Sequence, residues 1–222
     1  MALSWWPRPL LHWSLPANEH RSETLNPKKP FDLSAEYWGR LSDEHKRLYA
    51  LVRPQTKATY EVDVHIANIE SFLAKISQDM KVLGGKLELE PDFQRGHVWT
   101  DGQRIKYVES LLRGCAPRTI FFNCPGWSGI QPASATRVSD FECVDGLLRM
   151  TSVRKFMAGE IKLFGGLSAD DLKGSPFSPT GYTLRFAVFE FPTRSELLQF
   201  YLDLNSGGTV HASDEIDRVR AL

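Results

Sequence analysis

The stretch ECVDGLLRMTSV, residues 142–153, decides how this chain is read. The residues DFECV before it have the composition of a strand, Asp145 and Gly146 form a turn, and helical spacing then runs from about Leu147 to Ala158 with Gly159 behind it. A strand, a glycine turn and a helix N-terminus together expose free backbone N–H groups at the positive end of a helix dipole, an arrangement that favours a phosphate. Arg149, one turn in, adds a planar guanidinium that can fork onto the same anion. Asp145 is expected to cap the helix. On a helical wheel Gly146, Met150, Val153 and Met157 form one stripe with Phe156 beside it, whereas Leu147 and Leu148 lie more than about 90° off its centre at 100° per residue. Either another layer or the N-terminal extension covers those two leucines, or they form an apolar pocket wall or a partner surface.

Working outward, the flanks have the rhythm of one mixed domain. ATYEVDV (58–64) alternates like a strand, and Ile66, Ile69, Phe72, Leu73, Ile76 and Met80 recur at helical spacing up to Gly84 and Gly85. KLELEP (86–91) is expected to be a strand running into DFQRGHVW. Thr100 and Gln103 have capping-box spacing ahead of a helix whose buried stripe is Ile105, Val108, Leu111 and Leu112, closed by Gly114. RTIFFN (118–123) is a buried strand, and Cys124 to Ser139 has only loop composition. Beyond the central motif, EIKLF (160–164) and YTLRFAVFEF (182–191) are expected to be strands, the second central because its end is apolar on both faces. Thr193 and Glu196 cap a helix carrying Leu197, Leu198, Tyr201 and Leu204, which ends in NSGGT; Ser213, Asp214 and Glu215 begin a last helix.

The N-terminal residues 1–57 have a different character. Prolines at 7, 9, 16, 27, 30 and 54 punctuate an extension that carries Trp5, Trp6 and Trp13, with one helix expected from Ala35 to Leu51. Aromatic anchors dominate protein interfaces, so residues 1–20 are a candidate protein-binding arm; the alternative is that the tryptophans dock on the chain's own surface. The opening apolar run is too short and too interrupted to span a bilayer, and it lacks the form of a secretory signal. The domain expected at residues 58–222 is long enough to build its own core.

Composition narrows the chemistry. Of 222 residues, 27 are Lys or Arg and 27 are Asp or Glu, so the formal net charge is +0 and no basic coat for nucleic acid is present. The three cysteines, Cys115, Cys124 and Cys143, have no Cys-x-x-Cys spacing, which disfavours a disulfide framework or a zinc site and fits a reduced, cytoplasmic protein. No Gly-x-Ser-x-Gly elbow marks a serine hydrolase. Metal-assisted phosphodiester cleavage would have to draw on Asp92, His97, Asp140, Glu142 and Asp145. A local basic group, Arg104, Lys106, Arg113 and Arg118 with Arg154 and Lys155 on another helix, could give weak, salt-sensitive DNA contact.

Three segments in order, PDFQRGHVWTDGQRIKYVESLLRG (91–114), VDGLLRMTSV (144–153) and FYLDLNSGGTVHASDEI (200–216), resemble motifs of the ParB/sulfiredoxin-like superfamily. The closest branch is the domain of unknown function that forms the N-terminal half of GmrSD-type modification-dependent restriction enzymes. The resemblance covers about residues 60–222 and implies an α+β fold, a mixed sheet with packed helices. It also implies a cleft for a nucleoside triphosphate (GTP, ATP or CTP) with Mg2+. Carried over by position, the cleft residues are Gln94, Arg95, Asp145, Gly146, Arg149 and Thr151, with Asn205, Gly207 and Gly208 from the third motif. Asp145 and Gln94 are the candidate catalytic groups, and Asp145 the candidate magnesium contact.

Two departures from the family matter. The restriction-enzyme branch has Asp-Gly-Gln-Gln-Arg where this chain has Asp145-Gly146-Leu147-Leu148-Arg149; leucine can neither orient a water nor bond a phosphate oxygen, so binding without efficient hydrolysis is expected. Sulfiredoxins carry a catalytic cysteine at the position of Leu148, which disfavours their redox chemistry here. No His-Asn-His nuclease part is recognisable after the third motif. The resemblance therefore implies a nucleotide switch or slow NTPase in restriction, anti-restriction or phage–host conflict. The alternative from the same residues is a ligand-free interaction scaffold anchored by the extension and the leucine pair.

Overall fold

A computed structural model describes residues 29, 33–52, 54–94, 99–128 and 140–206. The chain divides into two compact units, Met1–Pro54 and Gln55–Leu222. The first contains helices α1 (Ala35–Arg40) and α2 (Asp43–Val52), where the sequence suggested one helix. The break has a local cause: Leu41 is extended, and Ser42 opens a new helix by accepting the His45 N–H at 3.2 Å, as Ser34 accepts that of Tyr37 at 3.1 Å for α1. Trp38 meets Tyr49 edge to face across the pair, with ring centroids 5.8 Å apart.

The second unit is a five-stranded mixed sheet with helices, an α+β arrangement. Its elements are β1 (Tyr60–His65), a 3₁₀ turn (Ile66–Asn68), α3 (Ile69–Leu83), β2 (Leu87–Glu88), α4 (Asp101–Leu112), β3 (Thr119–Asn123), β4 (Phe141–Asp145), α5 (Leu147–Met157), a 3₁₀ turn (Pro179–Gly181), β5 (Thr183–Phe189) and α6 (Arg194–Ser206). The sheet order is β1-β5-β3-β4-β2. β5 lies antiparallel to β1 and parallel to β3, and β4 lies antiparallel to β3 and parallel to β2.

Period-two alternation divides the buried side chains between two faces. Ile120 and Phe122 of β3, Phe141 and Cys143 of β4, and Leu184, Phe186 and Val188 of β5 face the larger core, with Ile69, Leu73, Ile76 and Met80 of α3, Val108 and Leu111 of α4, and Met150, Val153 and Phe156 of α5. Phe121, Val144, Ala187 and Phe189 face the other side, where Leu197, Leu198, Phe200 and Tyr201 of α6 and Phe93 cover them. β5 is thus apolar on both faces near its end and sits inside the sheet, as its sequence predicted. Thr100 and Gln103 form the expected capping box, and Gly84 and Gly114 take left-handed φ of 83° and 75° behind α3 and α4.

Two expected strands fail for local reasons. KLELEP pairs over only two residues, because the Glu88 carboxylate accepts the Glu90 N–H (3.2 Å) and bends the chain before Pro91, which has no N–H to give. EIKLF is a loop: the Glu160 N–H closes the end of α5 on the Lys155 carbonyl, and Phe164 takes a φ of 48° ahead of Gly165 and Gly166. Only one isolated bridge, Leu163 to Leu167, remains of it.

Candidate functional site

The central motif folds as strand, left-handed glycine and helix. Gly146 ends β4 at φ 98°, ψ 5°, and its carbonyl accepts the Met150 N–H (2.9 Å) as the first bond of α5. Asp145 does not cap this helix, and its N-cap, Gly146, has no side chain to do so. Its carboxylate instead accepts from Arg149 Nη2 across the first turn, because the left-handed glycine swings the aspartate away from the first helical N–H groups. A Cβ at position 146 would lie 2.8 Å from Ile120 Cδ1, 3.0 Å from Arg149 Nη2 and 3.2 Å from Arg149 Nε. Glycine is needed twice here, for its φ and for the closeness of the guanidinium to the bare backbone.

α4 supplies the neighbouring wall. Tyr107, buried, donates its hydroxyl to the Pro117 carbonyl (3.0 Å), and burial pushes its phenol up to about 12 against the opposing charge of Arg149. Gln94 approaches from the turn that follows Pro91: its backbone N–H bonds the Pro91 carbonyl (2.9 Å) and its side-chain amide donates to the Cys143 carbonyl. β2 pairs with β4 only as far as Glu142, so this amide meets the backbone one residue beyond the paired edge. The glutamine therefore anchors a loop to the sheet and commits one of its two amide N–H donors to it.

Cys143, read from the sequence only as one of three reduced cysteines, joins these residues. Its buried thiol feels the Gln94 amide, the charges of Asp145 and Arg149 and the Leu147 N–H, while burial pushes it up to about 12. The only sequence signal was its place two residues before the turn, on the inward face of the strand.

Leu147 corrects the helical-wheel expectation. It is 4% exposed and belongs to the larger core, while Leu148 is half-buried. α5 packs against the sheet, against α4 and against the Ile66–Asn68 turn, so it buries a wide arc and not one stripe. Thr151 lies half-buried on the same helix, and Ser152 donates to the Leu148 carbonyl at 2.6 Å. Asn205 lies on α6, on the opposite side of the sheet from α5, and its amide donates to the Tyr201 carbonyl (2.8 Å). Arg95, His97, Gly207, Gly208, the helix expected from Ser213 and the arm at residues 1–20 fall outside the described residues.

The structure brings Gln94, Asp145, Gly146 and Arg149 to one end of β4. The other carboxylates named from sequence, Asp92, Asp140 and Glu142, gather at the opposite end. There Arg194 pairs with Asp92 and reaches Glu142 at 3.5 Å, and the Lys86 N–H bonds Asp140 at 2.9 Å. Burial raises the Glu142 carboxyl above its ordinary range; Arg194 opposes this, and Asp140, Asp92 and Glu88 add to it. Beside them lies a cavity of about 490 Å³ lined by Asn123, Pro125, Asp140, Glu142, Phe191 and Arg194, among others. The sequence named the carboxylates, but no local motif marks the cavity itself, because its lining comes from four separate segments.

Most cations of the expected basic group are balanced locally. Arg104 pairs with Asp101 (2.8 Å), Arg113 with Glu109 (3.7 Å), Arg154 with Glu70 (3.1 Å for the longer contact) and Lys155 with Glu160 (2.8 Å). Arg118 bonds the Thr183 hydroxyl at 3.1 Å. Among the described residues no group of three or more His, Cys, Asp or Glu side chains could hold a metal ion, and no helix is long and apolar enough to cross a membrane.

A phosphate at the glycine turn would need N–H donors and a cation. The N–H groups of the first turn of α5 and the Arg149 guanidinium are of the right kind, but Asp145 already holds that guanidinium, so a phosphate fits only by taking its place. The chain matches no protein-family model, no curated protein and no solved structure.

Proposed function

We propose that the Gln55–Leu222 unit is a nucleoside-triphosphate-binding domain of ParB/sulfiredoxin-like type, akin to the N-terminal half of GmrSD-type restriction enzymes. It acts as a binding switch or slow NTPase in restriction, anti-restriction or phage–host conflict. The observation that carries this reading is the strand–Gly146–helix turn with Arg149 lying over the glycine. Without ligand Asp145 neutralises the guanidinium; a phosphate at the α5 N-terminus would compete for it and free the carboxylate to face Mg2+. Leu147 packs in the core and Leu148 has no polar atom, so nothing at these two positions orients a water for attack. Binding outlasting hydrolysis is the expected behaviour.

The test is thermal unfolding against ATP, GTP, CTP and UTP, with and without magnesium, followed by phosphate release for any nucleotide that stabilises. A ligand at ~100 times its dissociation constant adds about 2.7 kcal/mol. Arg149→Ala should abolish that gain while leaving the fold intact. No shift with any nucleotide would overturn the reading.

A second reading, a ligand-free interaction scaffold, is favoured by one observation: Gln94 and Arg149 each spend a side-chain donor inside the protein. Its test is recovery of a partner with the full chain and its loss when residues 1–20 are deleted.

A further inference from the structure

The 490 Å³ cavity lies at the end of the sheet away from Gly146, and its size falls in the range of small-molecule sites. β3 and β5 run parallel and both finish there, and α6 begins there; the carboxyl ends of parallel strands are where α/β sheets place ligands. Its floor is a cross-strand pair. Asn123 of β3 and Glu142 of β4 are directly opposite each other, so their side chains stand together on the α6 face. Pro125, Phe191 and Pro192 make apolar walls.

The polar groups on that floor are unequally satisfied. Asn123 is 2% exposed, and its Oδ1 accepts the Phe191 N–H at 2.8 Å. Among the described residues its amide NH2 makes no hydrogen bond of its own, Arg104 Nε is the one fully enclosed polar side-chain atom without a partner, and Asn123 lines the cavity. The Asn123 amide therefore offers a donor, and the half-buried Glu142 beside it offers an acceptor. Among the described residues carboxylates also outnumber cations around the cavity. Asp140, Glu142 and Glu190 all act on the nearby Cys124 thiol, which burial first and these charges second push up to about 12. Glu190 is held by the Ser128 N–H (2.8 Å) and hydroxyl (3.1 Å), whereas Arg194, the cation that lines the cavity, is shared between Glu142 and Asp92. The Lys86 ammonium is engaged by Glu88 at 2.7 Å.

We infer that this cavity binds a small molecule presenting a cationic N–H group beside a carbonyl acceptor, with the cation on Glu142 and Asp140 and the carbonyl on the Asn123 amide. An amino-acid amide or a basic residue of a peptide has this chemistry. The site is separate from the Gly146 turn and does not depend on nucleotide binding. A cation there would repay the cost of holding half-buried carboxylates close together.

The test is NMR titration of the full-length chain with L-argininamide, with N-acetyl-L-arginine N-methylamide as the peptide-like form and N-acetyl-L-citrulline N-methylamide as the uncharged control. Saturable binding with amide shifts at Asn123, Phe191 and Leu197 is expected, about tenfold weaker for the citrulline compound and for Glu142→Gln. Asp140→Asn, which keeps an oxygen for the Lys86 N–H, should weaken binding in the same direction and serves if Glu142→Gln fails to fold. Equal binding of both arginine compounds would assign the site to peptides, and preference for argininamide to free amino-acid amides. No saturation by ~10 mM, or affinity unchanged in the folded carboxylate variants, would overturn the inference.

Discussion

Arg149 lies against Asp145 across the first turn of α5, and directly over the bare backbone of Gly146. The three residues form one device: the glycine makes room, the aspartate holds the charge, and the helix carries the guanidinium. Both partners remain partly exposed, so the pair itself adds little stability. A double-mutant cycle with Asp145→Asn and Arg149→Ala should give a coupling of about 1 kcal/mol or less by chemical denaturation.

Gly146→Ala is expected to cost more than either. The new methyl would sit 2.8 Å from Ile120 Cδ1 in the core and would force a side chain to φ 98°. Strain and overpacking together should destabilise by about 2–4 kcal/mol, read as a lower urea midpoint at unchanged m. A loss below about 0.5 kcal/mol would show that the turn relaxes freely.

Thr100→Ala removes the oxygen that accepts the Gln103 N–H and breaks the reciprocal capping box at the start of α4. About 1 kcal/mol of stability should be lost, and replacement by Ser should restore most of it.

The thiols should separate by accessibility. Cys115 is exposed, whereas Cys124 and Cys143 are buried with their thiols pushed up to about 12. At pH 8 a disulfide reagent should titrate one thiol rapidly and the other two only on unfolding.

The same two thiols and the Tyr107 phenol set an alkaline limit. Each has a folded value raised to about 12, from 9.0 for cysteine and 10.0 for tyrosine, so folding favours the protonated form. Their stabilisation is full below about pH 9 and is lost as the pH rises from there towards 12. Midpoints measured from pH 8 to 11 should fall, and Cys143→Ala should flatten that fall relative to its own value at pH 8.

Much of the architecture was written in local sequence. The capping box of α4, the glycine ends of α3 and α4, the apolar run of β5 and the turn at Gly146 each depend on residues within a few positions of one another, and each stands where its spacing put it. Local competition explains the misreadings. Ser42 started a second helix, the Glu88 carboxylate captured a nearby N–H, and Phe164 turned where EIKLF had the composition of a strand.

The ends of α4, α5 and α6 and the inward alternation of β3, β4 and β5 were legible in the sequence, since they follow from φ preferences, caps and periodicity. Tertiary structure alone decided that Leu147 joins the core, that the Gln94 amide bonds the Cys143 carbonyl, and that Asn123 and Glu142 stand side by side above a cavity. Each of these joins elements far apart in the chain. Periodicity gives the direction of a side chain relative to its own helix or strand, and only the packing of the whole sheet supplies the atom it meets.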